Sequence, residues 1–224
     1  MPSKQRSKRV IVQAPSDLGL RPTGVHRLPR ALLQAGLRQK IGARMGGRVP
    51  LLEYDFVRHP KLKILNPYGI RRYSIQLANH LQPLLQQKHF PIILGGDCSV
   101  LLGPALALRR VGRYGLFFLD GHADFYSPHA SPTGEVADMD LALVTGHGPK
   151  ELTNIENLRP LFRPLDVVLF GFRDEKEARQ DKSPDVRKTS IHCNDWFSIR
   201  KRGVIRALQP SLKRILSPPL DGFW

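Results

Sequence analysis

The sequence predicts an α/β protein with a mainly parallel sheet, and three observations support this class. Short apolar runs such as "FPIILGGD", "YGLFFLD" and "LDVVLFGFRD" are typical of buried strands. Longer segments with helical spacing of apolar residues, such as "SVLLGPALALRR", separate these runs. Glycine and aspartate follow the strands directly. Apolar strands that alternate with helices imply a parallel sheet covered by helices on both faces.

The predicted elements of the N-terminal half follow in order. "RVIVQAP" is a β-branched run stopped by proline, which is typical of a strand. "HRLPRALLQAGLRQ" has the apolar spacing of a helix, which we expect to be closed by Gly42. "NPYGIRRYSIQLANHLQPLLQQ" is predicted to be a second helix despite Pro83, and it leads into the strand "FPIILGGD".

The C-terminal half repeats this alternation. Ser99 is predicted to open the helix "SVLLGPALALRR". "DMDLALVTG" is predicted to be a short helix, with Asp138 as its N-cap and Asp140 in its first turn. After the strand in "LDVVLFGFRD", "SIRKRGVIRALQPSLKRIL" predicts one or two helices divided near Pro210.

Length and composition indicate one domain spanning residues 1–224. The 224 residues are 41% hydrophobic, enough for one sizeable core. No apolar run approaches the roughly 20 residues that a bilayer span needs, so we expect a cytoplasmic protein with no membrane partner. Two cysteines, Cys98 and Cys193, do not make a disulfide framework, which fits a reducing compartment.

The chain is strongly basic, with a formal net charge of +16. Its Lys and Arg residues are dispersed along the sequence, and aromatic residues do not interleave with them as stacking platforms would. We therefore expect a solvated basic surface and no nucleic-acid partner. Nucleic-acid binding stays an alternative function supported by charge alone, and a steep salt dependence of DNA or RNA binding would mark it.

The stretch "LFFLDGHADFYSP" places Asp120, His122 and Asp124 at alternate positions after a buried strand. If the chain stays extended, the period of two directs these side chains to one side of the strand end. Asp and His supply oxygen and imidazole ligands to divalent metals. The alternative is structural: Asp120 caps a turn, His122 bonds a loop and Asp124 is solvated. For the three together we favour a metal site.

"GGDCS" followed by "LDGHADFYSP" resembles the arginase/agmatinase/formimidoylglutamase (ureohydrolase) family. The first two family signatures are a Gly-Gly-Asp-His-Ser strand end and an Asp-x-His-x-Asp strand end, and "IVQAPSDLG" is similar to the family's opening strand. The resemblance implies a three-layer α/β/α fold. It also implies a metal-dependent hydrolase with two divalent ions, manganese in the family, that cleaves a linear amidine or guanidino C–N bond and releases urea.

The resemblance also implies roles for individual residues. Asp120 would bridge the two metals, Asp124 would bind one and His122 the other. A metal-bridging hydroxide would attack the guanidinium carbon, with Asp124 as the catalytic residue that orients it. Cys98 stands where the family has a histidine ligand. As a ligand it would favour Zn²⁺ or Fe²⁺; otherwise Cys98 is a small apolar residue without a metal bond.

The predicted substrate-binding residues are Thr133, Glu135 and Asp174. In "TGEVADMD", Glu135 replaces a family asparagine and Ala137 replaces the proton-shuttling histidine. An acidic segment in a basic chain suits a guanidinium or amine substrate.

The segment "GFRDEKE" resembles the family's Gly-x-Arg-Asp segment, which is how Asp174 enters the predicted site. Beyond it, Lys176 and Arg179 replace acidic residues of arginases. This replacement argues against arginine itself as the substrate.

The family's third signature, an Asp-x-Asp strand end, has no counterpart before the final "SPPLDGFW". We therefore expect a ureohydrolase-like domain that is incomplete at its C-terminus, and inactivity of this chain by itself is the alternative to catalysis. The alternative function is an arginase-like fragment, partner or regulatory protein without catalysis. Metal content and turnover separate the two. The resemblance further implies a homo-oligomer.

Overall fold

The computed structural model describes residues 8–217 and 219–224, where strands and helices alternate. The strands are β1 Arg9–Ala14, β2 Arg44–Arg48, β3 Phe90–Gly95, β4 Tyr114–Leu119, β5 Val167–Phe170, β6 His192–Asn194 and β7 Gly222–Phe223. The helices are α1 Leu28–Gln34, α2 Leu37–Lys40, α3 Pro67–Gln86, α4 Leu102–Val111, α5 Asp140–Val144, α6 Lys150–Thr153, α7 Glu175–Gln180, α8 Trp196–Arg202 and α9 Val204–Ile215. No helix in these ranges combines the length and apolar character needed to cross a bilayer.

The strands form two sheets in which every ladder is parallel. The first has the order β2-β1-β3 and the second the order β6-β5-β4-β7. Val12 in β1 is in register with Ile93 in β3, and Phe118 in β4 with Leu169 in β5. The prediction of an α/β class with a parallel sheet is confirmed.

Helices cover both faces of the sheets, which gives three layers. On one face, α3 and α4 pack against each other, and their buried residues join residues of both sheets in one core. On the other face of the second sheet, Ala207 and Ile215 of α9 pack with Val168 and Phe170 of β5. Alternate residues of β5 therefore belong to different layers, as the period of two requires.

Three short strands, β2, β6 and β7, were not predicted from the sequence, and one predicted helix is broken. The segment predicted to end at Gly42 contains a 3-10 turn, Val25–Arg27, followed by α1 and α2. Gly36 separates α1 from α2 with a φ of +83°, a conformation that glycine adopts without strain. β2 has the sequence RMGGR, and its glycines conceal the β-branched pattern that identifies a strand.

Three predicted helix boundaries are wrong. Asp97, not Ser99, caps the turn before α4, because its Oδ1 accepts a 2.9 Å bond from the Ser99 amide. Gly203, not Pro210, divides the last two helices. Asp138 does not cap α5; its Oδ2 accepts a 2.9 Å bond from the Ser131 hydroxyl.

Candidate functional site

A cavity of about 680 Å³ lies at the carboxyl ends of β3 and β4. This acidic cavity is lined by seven carboxylate side chains: Asp97, Asp120, Asp124, Glu135, Asp138, Asp174 and Glu177. Arg173 is the one Lys or Arg among the described lining residues. The negative charge is therefore concentrated here, although the whole chain is basic.

The segment after β4 bends, so the extended chain on which the common orientation of Asp120, His122 and Asp124 depended is not present. The bend lies at Gly121 and His122, where Asp120 Oδ1 accepts a 2.9 Å bond from the His122 amide. This is the turn-capping role that the structural alternative assigned to Asp120. The His122 side chain is 69% exposed, and its Nδ1 lies 3.7 Å from Asp120 Oδ1. Both side chains nevertheless line the acidic cavity.

Asp124 is buried in the wall of the cavity, with 4% of its surface exposed. Its φ of +45° lies in the left-handed region, which is rare for a non-glycine residue. Burial and the neighbouring Asp120 raise the pKa of Asp124 to about 8.

Asp140 in the first turn of α5 is hydrogen-bonded to Asp124, and only 1% of its surface is exposed. Its pKa is also raised far above the usual value, by burial and by the charge of Asp124. Without a cation, this pair of carboxyl groups retains a proton at neutral pH.

Asp174 holds the bent segment in place from the next strand. Both of its carboxylate oxygens lie 3.0 Å from the Ala123 amide nitrogen, from which they accept a hydrogen bond. Asp174 precedes α7 and lines the cavity. It therefore joins the ends of β4 and β5 at the candidate site.

Of the two predicted substrate-binding residues in the "TGEVADMD" segment, Glu135 lines the cavity and Thr133 lies in the loop beside it. Glu135 lines the cavity, and its Oε1 accepts a 2.8 Å bond from the Arg21 amide. Thr133 is absent from the lining; its hydroxyl accepts a 3.2 Å bond from the Glu135 amide. Ala137, in place of the family histidine, does line the cavity. Thr133 thus shapes the loop that presents Glu135.

Cys98 lines the acidic cavity and is exposed to solvent. The surrounding protein and the carboxylates of Asp140, Asp124 and Asp120 raise the pKa of its thiol. Without a bound cation, this environment favours the neutral thiol over the thiolate that a metal needs.

Four charged residues that line the cavity were not predicted from the sequence: Asp97, Asp138, Glu177 and Arg173. Asp97 Oδ2 and Asp138 Oδ1 are buried and accept no hydrogen bond from the described residues. Asp97 could have been found from its place in "GGDCS", and Glu177 from its position three residues after Asp174 on a helix.

The side chains of the acidic cavity have the chemistry of ligands for a divalent cation, but they are not grouped closely enough around one point to hold it. Carboxylate oxygens are good ligands for hard cations, and two buried carboxylate oxygens lack a donor. In residues 8–217 and 219–224, however, no three His, Cys, Asp or Glu side chains are grouped to hold one metal ion. Asp120, His122, Asp124 and Cys98 as metal ligands therefore stay predictions.

Comparison with known proteins assigns the family. The family model described as "Arginase family" matches residues 7–219. An arginase of Staphylococcus aureus (strain MSSA476) is 27% identical over 221 residues, which cover 95% of this chain and 71% of the relative. The structure of arginase from Bacillus caldovelox has a TM-score of 0.82 at 24% identity, covering 96% of this chain and 73% of that one.

A more distant structural neighbour was solved with manganese. The structure of Trypanosoma cruzi formiminoglutamase with Mn²⁺ has a TM-score of 0.63 at 16% identity, covering 95% of this chain and 69% of that one. These structures share the fold with this chain. Because the family model spans nearly its whole length, the chain belongs to the arginase family of hydrolases.

Proposed function

We propose that this chain hydrolyses the C–N bond of a guanidino compound and releases urea, with the acidic cavity as its active site. The observation that carries the proposal is the set of seven carboxylates at the strand ends of an arginase-family chain. A guanidinium group is planar and donates paired N–H bonds to a carboxylate. A local negative field offsets the repulsion that a chain of net charge +16 exerts on such a cation.

Asp120, His122 and Asp124 would hold divalent metal ions, with manganese the first choice because of the family resemblance. When bound, such ions lower the pKa of a water molecule and so supply a nucleophile at neutral pH. Asp124 would orient that water, while Glu135 and Asp174 accept N–H bonds from the guanidinium group.

The departing amine needs a proton, and Ala137 cannot supply it. The adjacent Asp138 lines the cavity, its Oδ1 has no donor among the described residues, and burial raises its pKa to about 6. A carboxyl group poised near neutral pH is suited to proton transfer. We assign Asp138 this role: water adds its oxygen to the guanidinium carbon and gives up a proton, Asp138 transfers its own proton to the departing nitrogen as the C–N bond breaks, and the proton released by water restores Asp138.

The test is urea release after incubation with Mn²⁺, across arginine, guanidino amines and guanidino acids. Arginine comes first because the relatives are named arginases. Asp120→Asn is expected to lose bound manganese and at least about a hundredfold in turnover, since even outer-shell changes at metal sites cost about 10–100-fold. Asp138→Asn is expected to keep the manganese and lose turnover.

Glu151→Gln, in α6 away from the cavity lining, is the matched control and should change neither quantity. Failure of every guanidino compound in a manganese-loaded chain would contradict the proposal. That result would support the second candidate, a non-catalytic arginase-family protein. The observation that favours this candidate is the lack of a closed three-donor group in the described residues.

A further inference from the structure

A second cavity, of about 470 Å³, lies at the carboxyl ends of β1 and β2. We call it the basic cavity, because its walls include Arg27, Arg30 and Arg48 together with His26. Its described lining contains no Asp or Glu. Its charge is therefore opposite to that of the acidic cavity.

One wall comes from the segment that begins with the 3-10 turn Val25–Arg27 and continues into α1. Arg27, Arg30 and Gln34 are spaced three and four residues apart, so they share one helical face. Ala31 lies on the same face, and its short side chain leaves room between the longer ones.

The opposite wall comes from the sheet. Gln13 in β1 and Arg48 in β2 are register partners, and the Val49 amide donates a 2.9 Å bond to the Gln13 carbonyl. Register partners on neighbouring strands project from the same face. The Gln13 amide and the Arg48 guanidinium are thus presented side by side to the cavity.

The three guanidinium groups have no hydrogen-bond or ion-pair partner within the described ranges. The nearby Asp17 does not neutralise them, because it is 7% exposed and already bonded to the amide and Nδ1 of His26. Arg27, Arg30 and Arg48 are exposed to solvent, and their like charges around one volume create a positive potential that attracts an anion. This cluster lies apart from the acidic cavity and is not needed for the proposed reaction.

We propose that the basic cavity binds a small phosphorylated anion. The guanidinium fork matches the geometry of phosphate oxygens and donates two bonds at once. Three such forks suit a ligand with more than one negative charge, and two glutamine amides add neutral donors. The volume lies within the range of about 300–1,000 Å³ that is usual for small-molecule sites.

The test is calorimetric titration of the chain with inorganic pyrophosphate and, separately, with citrate as a polycarboxylate of similar charge. Pyrophosphate is expected to bind with one saturable site and more tightly than citrate. Arg30→Gln and Arg48→Gln should each weaken binding about tenfold, because each removes a charge-assisted bond. Ala31→Phe should also abolish binding, since it fills the cavity without changing charge.

Arg38→Gln and Arg200→Gln, at exposed arginines outside the cavity lining, are the matched controls and should bind like the parent. Asp120→Asn should also retain binding, which separates this site from metal in the acidic cavity. Circular dichroism confirms that each variant is folded. The proposal is overturned by any of four results: no saturable binding, equal affinity for citrate, equal loss in the controls, or full binding by Ala31→Phe.

Discussion

The surroundings of Asp124 oppose ionisation of its carboxyl group and raise its pKa to about 8. Its carboxyl group is buried beside Asp120 and Asp140, and its backbone adopts a left-handed conformation. Backbone strain of this kind persists where the surrounding fold holds a residue in place. Here Ala142 donates a 3.1 Å amide bond to the Asp124 carbonyl. The fold therefore holds the Asp124 carboxyl group where a bound cation would favour its ionised form.

The stability of the metal-free chain should fall as pH rises from about 4 to about 8. Asp124 has a folded pKa of about 8 against a usual 3.8, so between these values the folded state holds a proton that the unfolded state has released. The free energy of unfolding then decreases by up to about 1.4 kcal/mol per pH unit for one such group. Asp124→Asn should flatten this dependence in denaturant titrations with a chelator present.

Glu151→Gln, which changes a carboxylate outside the cavity lining, should keep the parent's slope. An unchanged slope in Asp124→Asn would show that Asp124 is ionised in the folded chain at neutral pH. Addition of Mn²⁺ at pH 8 should restore stability to the parent but not to the variant, because a bound cation replaces the retained proton.

The composition of the site was partly predictable from sequence at this scale. Asp120, His122 and Asp124 follow a buried strand, and the rule that ligands gather at strand ends placed them together. The turn capped by Asp120 was one of the two alternatives that the sequence left open. The bond that Asp174 accepts from the Ala123 amide was not predictable, because it joins residues 51 positions apart and no local pattern reports such a contact.

At the scale of elements, the packing of α3 against α4 forms part of the core that holds the strands of the site. Gly103 in α4 lies directly against Leu77 of α3: a Cβ built on Gly103 would come 2.6 Å from Leu77 Cδ2. Leu77 is fully buried and has no room to move away. Gly103→Ala should therefore destabilise the chain by about 1–3 kcal/mol, the usual cost of overpacking, despite alanine's better helix propensity.

Gly69→Ala in α3 is the matched substitution with the opposite expected sign. Its Cβ would lie 3.5 Å from the nearest atom, Leu18 Cδ2, which is an ordinary contact. Helix propensity should then decide, with a gain of up to about 1 kcal/mol. Urea denaturation of both variants measures the two changes, and a stabilised Gly103→Ala would show that the helices separate easily.

The predictability of an element followed the strength of its apolar pattern. The long helix α3 repeats its helical spacing several times, and the strands β3, β4 and β5 are continuous apolar runs. β2 was missed because its sequence RMGGR lacks such a run, and β6 because three residues give too little pattern. The break between α8 and α9 was predicted near Pro210 but lies at Gly203. Its positive φ, +87°, ends a helix as effectively as proline does.

At the scale of the whole molecule, two sheets without a ladder between them share one core. Val12 of β1 and Leu169 of β5 are fully buried members of the same apolar cluster, together with Leu106 of α4. α4 connects β3 to β4, so it links the sheets in sequence as well as in space. The two halves should therefore unfold together, which keeps both strand ends of the acidic cavity in one rigid frame.

Leu106→Ala tests this coupling. Removing a fully buried leucine side chain should cost about 2–5 kcal/mol. Native-state hydrogen exchange should show the same loss of protection at the Val12 and Leu169 amides, because one cooperative unit contains both strands. Ile215→Ala is the comparison variant, because it truncates an equally buried side chain in the separate apolar cluster that packs against β5. Loss of protection in only one sheet of Leu106→Ala would divide the molecule into two folding units and leave the acidic cavity at a flexible boundary.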